Sequence, residues 1–249
     1  MGKIEMFIIA ATLFVLTVSA HGTIVSESEF NRAQEQIRDL PPGGRIAFWA
    51  EQFVGTPYDP DPLGEYVRNR VVVADERVDC MYTTFRVVEL STSSDYVETV
   101  SRALDVRFRT RGQLDGHGRV VNYEERYEYG IDMIRSGKFG KDVSGLISKT
   151  VEMKGDRGIE SVSIIDAESA VDSVEKIRNG DIIFFIKNPS KRVVGEIVGH
   201  IGIAVVNGKG AFLVHASGVK NGKGIVKKTE LKPYLQNMSF AGIIVTRFD

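Results

Sequence analysis

The sequence contains a single cysteine in 249 residues, so the chain has no internal disulfide to staple it. An excess of charge of one sign is also missing: 32 Lys and Arg stand against 33 Asp and Glu, a net charge of -1. That balance supplies no basic field of the kind a phosphate backbone demands, which argues against nucleic acid as a partner. The one long apolar run, Met6 to Val18, spans thirteen residues and falls short of the roughly 20 that a membrane-crossing helix needs. No CxxC or HExxH motif completes a metal site, no cofactor is implied, and there is neither an internal repeat nor a low-complexity tract.

With 43% hydrophobic and 26% charged residues, the chain can bury a core of ordinary size. Lys3, the apolar run and the small-residue end Val18-Ser19-Ala20 read as a secretory signal over residues 1–20, cleaved after Ala20. The expected location is therefore periplasmic or extracellular, with no stable membrane anchor after cleavage. No cysteine near the apolar run offers a site for lipid modification. Residues 21–249 read as one domain.

Within it, Ser28 to Leu40 carries Phe30, Ala33, Ile37 and Leu40 at helical spacing, and Pro41-Pro42-Gly43-Gly44 stops the helix. A second helix from about Arg45 to Val54 places Ile46, Trp49, Ala50 and Phe53 on one face, giving a helical segment over about 28–54. The β-branched run Val71-Val72-Val73 predicts a strand from Arg70 to Asp75. An apolar stretch after Cys80 predicts a buried helix, with Asp79 where an N-cap belongs. The last third is β-rich: strands are expected at 181–186, Ile201 to Val206, Ala211 to His215 and Gly242 to Phe248. Helices first and an antiparallel sheet last give an α+β fold.

A cysteine in the first turn of a helix meets unpaired N–H groups and the positive end of the helix dipole, which favour thiolate, the attacking species. Cys80 sits at such a place, although an inert buried thiol or an intermolecular bridge would equally account for a lone cysteine. His200 enters one strand and His215 ends the next. The hairpin Asn207-Gly208-Lys209-Gly210 joins them, and pairing 206 with 211 extends in register to 202 with 215 and 200 with 217. Both histidines then lie close together on one face. One could take the proton of Cys80 while the other orients its ring. Taken singly, each histidine also suits a structural role, and the three residues would make three of the four ligands of a zinc site. His21 and His117 read as surface or turn residues.

Five short motifs follow one another along the chain: Gly55-Thr56-Pro57-Tyr58, Val78-Asp79-Cys80, Gly180-Asp181-Ile182-Ile183-Phe184-Phe185, Gly199-His200-Ile201-Gly202-Ile203 and Phe212-Leu213-Val214-His215-Ala216-Ser217. In this order they resemble the NlpC-type papain-like cysteine peptidases and amidases of bacterial cell walls. The resemblance implies a papain-like core in which a nucleophile helix packs on the C-terminal sheet. It implies Cys80 as nucleophile, His200 as general base and His215 as the residue holding its imidazole. Tyr58 would stand beside the nucleophile, its hydroxyl joining the Cys80 N–H in an oxyanion site. Cys80 and His200 are 120 positions apart, about twice the interval of a minimal member of that family, so a large insertion is expected over about 95–175. Met81 replaces the usual small residue after the cysteine.

The long form most resembles the branch of N-acetylmuramoyl-L-alanine amidase-like proteins. The implied partner is peptidoglycan or its muropeptides, and the implied reaction is cleavage of the N-acetylmuramoyl-L-alanine amide. An endopeptidase cutting the γ-D-glutamyl to diamino acid bond, a papain-like acyltransferase and a non-catalytic wall-binding module are the competing readings. Tyr123 to Tyr127, inside the insertion, could line a sugar–peptide groove or form a solvated helix face.

Overall fold

A computed structural model of the chain describes residues 25–61, 63–218 and 224–249. The expected signal at 1–20, its cleavage point and His21 lie outside these residues. Ser26 caps helix α1 (Glu27–Ile37) through a reciprocal pair: its hydroxyl accepts the Glu29 N–H, and its own N–H donates to the Glu29 carboxylate. Phe30, Ala33 and Ile37 form the buried stripe. Pro42 opens α2 (Pro42–Gln52) rather than merely closing α1, because a proline at the first helical position gives up an N–H that has no partner there. A short turn of helix, α3 (Glu65–Arg68), follows.

Residues 70–75 are irregular, not the expected strand. Val72, Val73 and Ala74 are buried, but side chains take up the backbone groups that a neighbouring strand would have used. The Tyr123 hydroxyl donates to the Val71 carbonyl at 2.5 Å, Arg107 donates to the Val72 carbonyl at 2.7 Å, and the Ala74 N–H donates to the Tyr82 hydroxyl at 2.6 Å. The β-branched run serves burial instead of sheet pairing. Tyr123 and Tyr127 are buried and belong to the core, while Glu124 between them is exposed.

This tract leads into α4 (Cys80–Thr92), which begins at the cysteine because the Asp79 carboxylate accepts the Tyr82 N–H at 2.6 Å. From Tyr82 to Ser91 every residue of α4 is buried, and the helix packs between α2 and α5 (Tyr96–Val106). Its interior holds four ionised side chains. Arg86 grips the Asp75 carboxylate with two nitrogens and reaches Glu89 at 2.9 Å with a third. Arg107 meets Glu89 at 2.6 and 2.8 Å and stacks its guanidinium over the Tyr82 ring at 4.8 Å. Two cations and two anions balance, and the charges have the hydrogen bonds that burial demands. Burial alone would raise the Glu89 carboxyl, but Arg107 and Arg86 hold it below the ordinary range.

The expected insertion is woven into this core. It supplies α5, α6 (Gly130–Ser136), β1 (Lys141–Asp142), α7 (Ser144–Ile147), β2 (Val151–Lys154), β3 (Ser161–Asp166) and α8 (Ala167–Asp172). The strands β4 (Ile182–Ile186), β5 (Val198–Asn207), β6 (Gly210–Gly218) and β7 (Gly224–Glu230), the helix α9 (Leu231–Asn237) and β8 (Gly242–Arg247) complete the described chain. The strands form one antiparallel sheet in the order β2-β3-β8-β4-β5-β6-β7, with β1 beside β8. The architecture is thus α+β. β4 is buried at all five positions because both faces of the sheet are covered. Ile182, Phe184 and Ile186 meet the layer containing α2 and α4, while Ile183 and Phe185 meet residues of α7, α8 and α9. The hairpin loop is shorter than expected: Asn207 still pairs with Gly210, leaving only Gly208 and Lys209 in the turn.

Removing one charge from the buried network leaves an unbalanced cation in a dry site. Glu89→Gln should therefore destabilise the protein by roughly 3–5 kcal/mol, read as a lower urea midpoint at unchanged slope. A loss below about 1 kcal/mol, the range of an exposed pair, would contradict the buried, ionised network.

Candidate active site

Four candidate residues come from three parts of the chain. Cys80 opens α4, His200 and His215 sit on β5 and β6, and Tyr58 lies in the strap after α2. The strap is fixed on both sides. The Tyr58 N–H donates to the Gly224 carbonyl at 2.9 Å, the Asp59 N–H to the Val78 carbonyl at 3.0 Å, and the Val78 N–H to the Pro57 carbonyl at 3.0 Å. The approach to Cys80 is thereby laced to Tyr58, and Tyr58 to the start of β7. A Cβ at Gly218 would lie 2.7 Å from the Tyr58 ring, so only glycine lets β6 pass so close.

The β5–β6 ladder follows the expected register from Asn207↔Gly210 to Ile203↔Val214, and its recorded pairs stop there. Just beyond that point the imidazoles meet, His200 Nε2 to His215 Nδ1 at 2.7 Å with the rings nearly perpendicular. The helix that Cys80 opens packs against β5, and the backbone N–H groups of Ile201, next to His200, of Cys80 and of Met81 favour the Cys80 thiolate. The thiol is half-buried. Tyr58, His200 and His215 line an open cleft of about 530 Å³, together with Ser217, Lys227 and Tyr234. Cys80 is not among the residues that line it. His117 is in an exposed turn, its N–H bonded to Asp115.

Several site residues carry no signal at sequence level. Phe185 lies against the His200 ring at 5.7 Å, and Tyr234 stands edge-on to His215 at 5.0 Å and to Phe185 at 5.2 Å. These aromatic walls restrict how either imidazole can turn. Phe185 is inside a motif that reads simply as strand. Tyr234 is on α9, whose Pro233 interrupts a helical pattern although proline is tolerated in a first turn. Lys227 is on β7, where the consecutive lysines Lys227-Lys228 break the apolar alternation that marks a strand.

The electrostatics differ from what the helix position implies. Burial, and then the adjacent Asp79 carboxylate, push the Cys80 thiol up to about 12, outweighing the three N–H groups that favour thiolate. Burial, and then Lys227, take His200 down to about 4; burial, His200 and Lys227 take His215 to about 3. At neutral pH the resting site is a neutral thiol and two neutral imidazoles. Asp79, half-buried, is itself raised to about 6 by desolvation and by the Asp59 charge, against the Tyr82 N–H that lowers it. Tyr58 is raised to about 12 by burial and by Cys80, so its hydroxyl stays protonated and able to donate. Among the described residues no group of three His, Cys, Asp or Glu side chains is arranged to hold a metal ion, and no helix is long and apolar enough to cross a membrane.

No family model matches the chain, and no curated protein matches it by sequence. Solved structures do share its fold. An N-acetylmuramoyl-L-alanine amidase from Bacteroides uniformis is 21% identical with a TM-score of 0.64, over 84% of this chain and 99% of that one. A Legionella pneumophila protein under the family label DUF1460 is 16% identical with a TM-score of 0.66, over 88% and 93%. A Bacteroides fragilis protein provisionally named a xylanase is 22% identical with a TM-score of 0.62, over 80% and 99%. At such identities the likeness is one of fold.

A neutral thiol should alkylate slowly. Iodoacetamide labelling of Cys80 near pH 7 is expected to be slower than that of a free thiol and still rising above about pH 10. Asp79→Asn keeps a good N-cap but removes the neighbouring charge, so its profile should move to lower pH. A labelling rate that levels off below about pH 7 would show a preformed thiolate–imidazolium pair instead.

Proposed function

We propose that this chain is an exported, papain-like cysteine amidase of the NlpC type that hydrolyses the N-acetylmuramoyl-L-alanine bond of peptidoglycan. The observation that carries this is the 2.7 Å bond between His200 and His215, made from the strand β5 that packs against the helix Cys80 opens. The five ordered motifs, and a shared fold with a protein named as an amidase of this specificity, support the same reading. The complete Cys, His, His set speaks against a non-catalytic wall-binding module.

In this mechanism His200 Nδ1 takes the thiol proton as the Cys80 sulfur attacks the lactyl carbonyl carbon, so the ion pair forms during attack and is not stored beforehand. His200 must then carry its resting proton on Nε2 and donate it to His215 Nδ1, which fixes the tautomer of both rings. The Cys80 N–H and the Tyr58 hydroxyl stabilise the tetrahedral oxygen anion. The C–N bond breaks, and the L-alanine amine leaves with the proton from His200. Water, deprotonated by His200, then hydrolyses the thioester and frees Cys80. An endopeptidase would use the same groups on the γ-D-glutamyl bond, and its products differ in mass.

Purified muropeptides incubated with the enzyme should yield free L-alanine-terminated stem peptides by mass spectrometry. Cys80→Ala and His200→Ala should abolish this release, while His215→Ala, which loses only ring orientation, should retain activity about 10²-fold or more above Cys80→Ala. Release of diamino acid-terminated fragments would reassign the bond, and activity surviving Cys80→Ala that a chelator removes would defeat the cysteine reading.

The low value at His200 sets the pH profile. The base must be neutral, and a group titrating at about 4 is mostly neutral by about pH 5. The acid limb of kcat/KM should therefore fall below pH 5; a limb near 6.5, the ordinary histidine value, would contradict it.

A further inference from the structure

Among the described residues that line the cleft, one carries a formal charge in the resting site: Lys227. It pairs with His215 across the β6–β7 ladder, so the two side chains project from the same face of the sheet at neighbouring positions. Its neighbour Lys228 is bound by Glu51. Lys227 has no ion-pair partner among the described residues, and residues 219–223, which lead into β7, contain two lysines and no acid. Lys227 also opposes the chemistry in the empty site, because its positive charge lowers the basicity of both imidazoles. An anion arriving with the substrate would relieve that opposition, so an ammonium that is the one charge among the cleft's described lining residues complements a negatively charged ligand group.

The chemistry of the stem identifies that group, given the amidase reading on which the inference rests. The muramoyl side of the scissile amide is neutral at this point. On the leaving side, L-alanine is followed by a D-glutamyl residue linked onward through its γ-carboxyl, which leaves the α-carboxylate free. This is the first anion beyond the bond. We propose that Lys227 binds the free α-carboxylate of the D-isoglutamyl residue, so that the enzyme selects isoglutamate stems over amidated isoglutamine stems.

The test compares N-acetylmuramoyl-L-alanyl-γ-D-glutamyl-diaminopimelate with its counterpart amidated at the glutamyl α-carboxyl, two ligands that differ only in that carboxylate. Wild-type kcat/KM should favour the acid by about tenfold or more, the equivalent of about 1.4 kcal/mol. Lys227→Met should bring the ratio to about 1, and Lys227→Arg should keep most of it, with circular dichroism and thermal midpoints confirming that both variants fold. A wild-type ratio near 1, or a preference surviving Lys227→Met, overturns the inference while leaving the amidase reading standing. Calorimetry of Cys80→Ala with the same two ligands separates the claims further, since it needs no turnover. Tighter binding of the acid, lost on adding Lys227→Met, supports the carboxylate site even if neither compound is hydrolysed; equal affinity, or no binding of either, overturns it.

Discussion

The buried pairing of Asp75 and Glu89 with Arg86 and Arg107 is the constraint on which the architecture turns. It joins the irregular tract before α4, the middle of that helix and the end of α5, in a space too dry to tolerate any one of these charges alone. Because Tyr82 donates to Asp75 and accepts from Ala74, the network also fixes where the tract stops and the helix begins. Asp79 then caps a helix whose depth and rotation are already set, and Cys80 opens that helix where it packs against β5. The reactive end of α4 inherits its position from four charges deeper in the protein.

The same burial that places the thiol suppresses its ionisation. Helix N–H groups favour thiolate, yet desolvation and Asp79 outweigh them, and both histidines lose basicity to burial and to Lys227. A neutral resting site is chemically coherent. The proton moves when a carbonyl is in place to be attacked, and the charge that develops meets donors already oriented by the strap at Tyr58 and the aromatic walls around the imidazoles.

Much of this was legible from local pattern. Asn207-Gly208 sets the hairpin register, and the register puts His200 beside His215. Asp79 before an apolar run marks the start of α4, and the unbroken run Ile182 to Ile186 marks a strand. What escaped the pattern depends on partners distant in sequence. Val71 to Val73 has the composition of a strand but gives its carbonyls to Tyr123 and Arg107, 52 and 35 positions away. The segment 95–175 reads as an accessory insertion, although Arg107 completes the ion network and Phe139 and Ile164 enter the core. Lys227 and Tyr234 gain their place at the site only through the pairing of β7 and the packing of α9.

The central claim is that the sulfur of Cys80 becomes covalently bonded to the acyl half of a muropeptide. Acid quenching during turnover, followed by mass analysis of the peptide containing Cys80, tests this most directly. The account predicts a mass gain on Cys80 equal to the muramoyl acyl group, absent from the Cys80→Ala enzyme and lost on alkaline hydrolysis as a thioester would be. Continued product release with Cys80 unmodified, at quench times and pH values that preserve thioesters, would contradict it.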